Sequence, residues 1–226
     1  MRNKYENGNK YENGNKYENE YEYRSEYGSE YGSEYGSEHK EYNGENKMGA
    51  SIIAGIPGVG KSTVLEELSK IANFKMVNFG TLMFKKSGLK DRDEMRKLEV
   101  EKQKELQRMA AIEIKEMGKV LVDTHYAVKT PHGYLPGVPP WVMELINIDH
   151  IIVIESNERD IINRRNKDIT RQRDAEAIED VREHQMVNRS IACALALVKG
   201  ATITMLKNDE NRAGKCAKII KEIMEV

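Results

Sequence analysis

The chain has 226 residues, of which 39% are hydrophobic and 32% charged, with a formal net charge of −1. That is material for one ordinary α/β-sized domain, and it excludes several classes at once: no stretch approaches the roughly 18 consecutive apolar residues of a membrane span, and no apolar core marks a secretion signal. A cytoplasmic location is therefore expected, and Cys193 and Cys216 are too few for a disulfide framework or a thiolate metal site, so both are expected as buried thiols.

Residues 1–47 stand apart. Beyond Met1 they hold no aliphatic residue, yet they carry nine of the eleven tyrosines, in repeats such as YENGNK at 5–10 and 11–16 and EYGS between Glu26 and Ser37. Units this short build no solenoid, and without Val, Ile or Leu they bury too little to offset the entropy of ordering, so a disordered low-complexity tail is expected. Five Lys and two Arg against eleven Glu give it −4, which leaves +3 for residues 48–226. The tyrosines could act as stickers or stack on bases. A solvated extension is the simpler reading, and the acidity opposes binding to a phosphate backbone.

From Met48 onward short β-branched runs alternate with segments of helical period, the layout of a parallel sheet flanked by helices. Expected strands are Ala50–Ala54, Lys75–Phe79, Lys119–Val122, His150–Ile154 and Ala201–Leu206. Expected helices are Lys61–Ala72, Asp93–Met117, Glu158–Arg165, Ala175–Lys199 closed by Gly200, and Glu210–Met224. One five-stranded α/β domain results.

Between the first strand and the first helix lies GIPGVGKST, that is Gly55, Ile56, Pro57, Gly58, Val59, Gly60, Lys61, Ser62 and Thr63. It satisfies G-x-x-x-x-G-K-[ST] in the strand–turn–helix context that gives the pattern meaning. The glycines permit a turn whose amides converge on phosphate oxygens, and the helix end adds positive potential. Lys61 supplies a point charge for β- and γ-phosphates, Ser62 a hydroxyl for Mg²⁺ and Thr63 a further donor. A nucleoside triphosphate is the expected ligand.

Farther along, DRDEMR places Arg92 and Arg96 at the opening of the long helix, where they either grip a second phosphate or pair with Asp93 and Glu94. The apolar run Val120–Val122 ends in Asp123, which suits either a magnesium-organising carboxylate or a turn cap. Arg164, Arg165, Arg171 and Arg173 fall within fourteen residues. They form either a solvated face or, on a mobile flap, a set of guanidinium forks that neutralise two anionic nucleotides. His125 follows a strand, where a lone histidine more often makes a structural hydrogen bond than acts as a base.

Taken together, GIPGVGKST, RDEMRKL, DTH at 123–125, KTPHGYLPGVP at 129–139, RR…TR.RD at 164–174 and EHQ..NR at 183–189 resemble the archaeal type of adenylate kinase, a family of P-loop nucleoside monophosphate kinases. The resemblance runs from about Met48 to the C-terminus and leaves the tail without a counterpart. It implies reversible transfer of phosphate from MgATP to AMP. Gly55–Thr63 would cradle ATP, Ser62 and Asp123 would organise Mg²⁺, and Arg92 or Arg96 with His125 and Lys129 would line the AMP side. Lys61, Arg164, Arg171 and Arg173 would act on the transferring group, the arginines from a short lid. It also implies a homotrimer, with small nucleotides as partners and neither membrane nor nucleic acid. One departure is that Thr81 stands where the family usually has Asp. Two rivals share the bottom-up features: a kinase for another monophosphate such as CMP or UMP, and a P-loop NTPase switch. The switch should carry N-K-x-D, which Asn166-Lys167-Asp168-Ile169 fails at its last position.

Overall fold

The computed structural model describes residues 49–95, 97–167 and 177–226. The repetitive segment 1–47, Arg96, Arg171 and Arg173 lie outside the described residues.

In chain order the strands are β1 (Ala50–Ala54), β2 (Met76–Asn78), β3 (Leu121–Thr124), β4 (Ala127–Thr130), β5 (Gly133–Pro136), β6 (Ile148–Glu155) and β7 (Thr202–Lys207). The helices are α1 (Lys61–Ile71), α2 (Phe79–Ser87), α3 (Arg92–Met95), α4 (Val100–Met117), α5 (Pro140–Met143), α6 (Glu158–Lys167), α7 (Ile178–Lys199) and α8 (Ala213–Glu225). Five strands form one parallel sheet in the order β2-β3-β1-β6-β7, as expected from the sequence, while β4 and β5 pair as a separate antiparallel hairpin.

The sheet is covered on both faces, which is why its strands are near-continuous apolar runs. Side chains alternate between the two covers. Ile52, Val122, Ile151 and Val153 pack with Leu82, Leu106, Ala110 and Ile114 of α2 and α4 and with Ala192 and Leu195 of α7. Ile53, Leu121, Ile152 and Ile154 pack with Val64 and Leu68 of α1, Ile161 of α6, and Ile220 and Met224 of α8. Adjacent strands β1 and β3 send the chain to opposite flanks of the sheet, to β2 and to β6, and this divergence opens a crevice at their carboxyl ends.

Several expected elements take a different form. Phe79, placed in a strand from its β propensity, instead opens α2, because the Asn78 side chain caps the helix by accepting from the Thr81 amide at 2.9 Å. The helix expected over Asp93–Met117 is two helices, α3 and α4. The chain turns at Lys97, whose amide donates to Glu94 O at 3.0 Å, and the break directs Met95 and Leu98 against the core. The last helix begins at Ala213 rather than Glu210. Residues 208–212 form a loop in which Asn211 has φ 62°, the only positive φ at a non-glycine among the described residues. Cys216 is buried as expected, but Cys193 is exposed on the outer face of α7.

Candidate active site

The register of the sheet brings the site together. Ile53 and Ala54 of β1 lie beside Asp123 and Thr124 of β3, and Asp123 lies beside Asn78 of β2. The chain leaves β1 through Gly55–Gly60 and enters α1 at Lys61. Gly58 and Gly60 have φ values of 92° and 80°, conformations that L side chains rarely adopt. A Cβ on Gly60 would also meet Asn208 Nδ2 at 2.6 Å. As the N-cap of α1, Gly60 offers no side chain to the first-turn amides. Those amides remain available to an anion at the positive end of the helix.

The outward carbonyls of this loop are gripped from behind. Arg164 Nη1 donates to Val59 O and to Ser156 Oγ, both at 3.1 Å, and its Nη2 donates to Asn208 O at 3.0 Å. Arg165 Nε donates to Pro57 O at 2.8 Å, and the buried Asn208 Nδ2 to Val59 O at 2.8 Å. Fixing the carbonyls on one side of the peptide planes turns the amides to the other. The conformation of the loop is thus fixed by α6 and by the segment after β7.

In front of the loop, Lys61 Nζ pairs with Asp123 Oδ1 and donates to Thr124 O at 2.7 Å. Asp123 Oδ2 accepts from Asn78 Nδ2 at 2.8 Å. Asn78 Oδ1 in turn receives Arg92 Nη2 at 3.2 Å, and the same nitrogen reaches Thr81 Oγ1 at 3.2 Å. His125 lies next to this group. Desolvation, then the Lys61 ammonium, lowers its pKa to about 4, although more than a third of the residue is open to solvent. The Asp123 carboxylate and a hydrogen bond with the Gly55 backbone oppose the shift without reversing it. Ser62 and Thr63 are exposed at the start of α1.

On the other flank of the loop, a cavity of about 520 Å³ opens between Gly60, Thr63, Arg164, Asn208, Asp209 and Asn211. Its far wall is the loop that displaced the expected start of α8. Lys129 lies away from this centre, on β4, with Nζ 3.4 Å from Asp180 Oδ1. The hairpin bearing it rests on α7 through His184, whose Nε2 is 3.3 Å from Ala127 O and whose ring lies 5.1 Å from that of Tyr134. Arg189 reaches the carboxyl end of β6, where Nε and Nη2 hold the buried Glu155 carboxylate at 2.8 and 2.6 Å.

The structure thus gathers Lys61, Asp123, Arg92 and His125 around one crevice and puts Arg164 at its rear wall instead of on a flap. Asn78, Asn208 and Ser156 were not anticipated. Asn78 carried a signal, a capping residue three positions before Thr81; Asn208 carried none beyond its place after the last strand.

A family model described as an AAA domain matches residues 54–182. An adenylate kinase of Thermoplasma acidophilum is 47% identical over 180 residues, covering 78% of this chain and 98% of that protein. This chain belongs to the adenylate kinase family. An adenylate kinase of Methanocaldococcus jannaschii is 46% identical over 187 residues, with 77% of this chain and 96% of that protein covered. Membership in the adenylate kinase family makes the chain a phosphotransferase. Among solved structures, shikimate kinase from Acinetobacter baumannii in complex with shikimate superposes with a TM-score of 0.52 at 12% identity, over 79% of this chain and 93% of that one. That likeness shows the shared P-loop kinase fold. No described helix is long and apolar enough to cross a membrane.

Proposed function

We propose that this adenylate kinase family member transfers the γ-phosphoryl group of MgATP to AMP reversibly, giving two ADP. The observation that carries the reading is the placement of Lys61 between the P-loop amides and Asp123, with a cavity of about 520 Å³ on one flank and Arg92 on the other. The triphosphate lies along Gly55–Thr63, and the donor base occupies the cavity walled by Asn208, Asp209 and Asn211. Lys61 leaves Asp123 for the β- and γ-phosphates, and Arg92 takes the acceptor phosphate, with Arg96 as its sequence neighbour for the same task. His125 completes the acceptor side as a neutral ring, while Lys129 stands apart from it on the hairpin, beside Asp180.

Two anionic nucleotides repel by roughly 4 kcal/mol per unit charge pair at about 4 Å in an intermediate dielectric, so the chemistry consists of positioning and neutralisation. Arg164 serves from the rear of the loop, and Arg171 and Arg173 from the lid segment. Ser62 and Asp123 offer only oxygen donors, the set a hard divalent cation prefers, so they fit Mg²⁺ held mainly by phosphates. When bound, the metal supplies charge neutralisation across the β- and γ-oxygens.

A coupled assay presenting ATP with AMP, CMP, UMP, GMP and dTMP separately tests the proposal. ADP formation fastest with AMP is expected. ATP hydrolysis with no acceptor phosphorylated would overturn it, and faster turnover of CMP or UMP would move the chain to the neighbouring kinase class. We also propose the homotrimer that the resemblance implies. The exposed Met186, Leu197 and Val198 of α7 support it, as apolar surface that association would cover. Light scattering at three times the chain mass is the expected result, and a monomer would refute it.

A further inference from the structure

We propose that Asn78 is a positioning residue that ties the donor lysine's carboxylate to the acceptor-side arginine, so that the two nucleotides bind cooperatively through a single carboxamide. The inference rests on the reading above that Arg92 receives the acceptor phosphate.

The backbone dictates the link. Asn78 and Asp123 are register partners on neighbouring parallel strands, so their side chains emerge next to each other on one face of the sheet. Nδ2 of Asn78 donates to Asp123 Oδ2 at 2.8 Å. Its Oδ1 meanwhile accepts from the Thr81 amide at 2.9 Å, the Thr81 hydroxyl at 3.0 Å and Arg92 Nη2 at 3.2 Å. Every donor aimed at Oδ1 and the acceptor facing Nδ2 select the same orientation of the amide. A flipped carboxamide would face Arg92 with an NH₂ group and Asp123 with an oxygen. Asp123 is also the carboxylate that holds Lys61. One continuous chain, Lys61–Asp123–Asn78–Arg92, therefore crosses from the P-loop to the acceptor side.

Without nucleotide, Asp123 is served by Lys61 and Asn78. When a triphosphate draws Lys61 away, Oδ1 of Asp123 is freed for the magnesium it would help to hold, while Oδ2 keeps the Asn78 amide. That locks the orientation in which Oδ1 of Asn78 steadies Arg92 and Thr81. Among the described residues Arg92 is held there by neutral acceptors, Asn78 and Thr81, rather than by a carboxylate, so none of these partners consumes its charge before the acceptor arrives. Donor binding thus preorganises the acceptor arginine, and by linkage the acceptor strengthens donor binding by the same factor.

The variants separate this from a helix-capping role. Asn78→Asp keeps a side-chain cap for α2 and an acceptor for Arg92, but it removes the donor to Asp123 and gives Arg92 a formal counter-ion. Calorimetric titration of AMP, with and without a non-transferable ATP analogue, reads the coupling directly. The parent is expected to bind AMP roughly five-fold or more tightly in the presence of the analogue. Asn78→Asp is expected to lose that ratio while keeping the α2 cap, with some loss of melting temperature from its carboxylate facing that of Asp123, and Asn78→Ala to lose both ratio and cap. A ratio near one in the parent, or a parental ratio in Asn78→Asp, would overturn the inference. Arg92→Ala keeps the two failures apart. If it weakens AMP binding while Asn78→Asp keeps the parental ratio, the relay is wrong and the acceptor placement stands; if it leaves AMP binding unchanged, both fall.

Discussion

Lys61 is held in a polar cleft, with 13% of its side chain accessible and Asp123 and Thr124 O as partners. Its removal therefore opens no apolar cavity. The Lys61→Ala enzyme should fold, with Asp123 still bonded to Asn78, but it should lose the charge that meets negative potential growing on the transferred group. Losing one such preorganised contact costs about 10²–10³-fold in kcat, or about 3–4 kcal/mol. A kcat within threefold of the parent would refute the assignment. Protonation gives a second residue-scale expectation. Desolvation is the leading cause of the lowered pKa at both His125 and His184, and His125 falls from 6.5 to about 4. As pH drops, the unfolded chain takes up these protons before the folded one does. The stability they support is complete above about 6.5 and is lost as pH falls, in the case of His125 toward about 4. Denaturant midpoints measured at several pH values across this window should fall steadily with pH, and His184→Gln should flatten part of the slope. A midpoint unchanged across the window would contradict the placement of both rings.

At the scale of elements, the best test is the face that seats the P-loop helix. Leu68 of α1 is fully buried among Ile152, Ile154, Ile220 and Met224, and Leu68→Ala should cost about 2–5 kcal/mol, according to how far the cavity collapses. Thermal unfolding would show it, and a loss below 0.5 kcal/mol would mean that α1 is not packed as described. The same element shows why parts of the fold were legible. Val64 and Leu68 repeat at helical spacing after a glycine-rich turn, and the β-branched runs of β1 and β6 admit no other reading. The sheet and the nine-residue loop could thus be placed from local pattern. What could not be read depends on partners distant in sequence. Asn78 takes its role from Asp123, forty-five positions on, and Arg164 from carbonyls more than a hundred positions earlier. Arg164 reads as part of a flap until the loop that it grips is known. The break between α3 and α4 lacks Gly or Pro altogether, being set by Met95 and Leu98 turning to a core that only the tertiary structure defines.

The whole chain joins a folded kinase to a segment of opposite character, and composition predicts how independent they are. Among the described residues, both apolar cores are built from positions at or beyond Ala50. Segment 1–47 contains no Val, Ile, Leu or Ala with which to extend either one. Its net charge of −4, beside +3 for the remainder, permits at most a weak attraction that ordinary salt screens beyond about 10 Å. We propose that it is a solvated appendage contributing to neither folding nor turnover. A chain beginning at Met48 should then match the full protein in kcat and in KM for both nucleotides within about twofold, with a melting temperature within a degree or two, because losing no buried area changes no hydrophobic stabilisation. Salt offers an internal control. If the tail bound the kinase surface electrostatically, the difference between long and short chains would appear at low ionic strength and vanish at high. A difference that persists in high salt would instead mean that the tyrosines make apolar contacts with the kinase, and the segment would have to be counted as part of the enzyme.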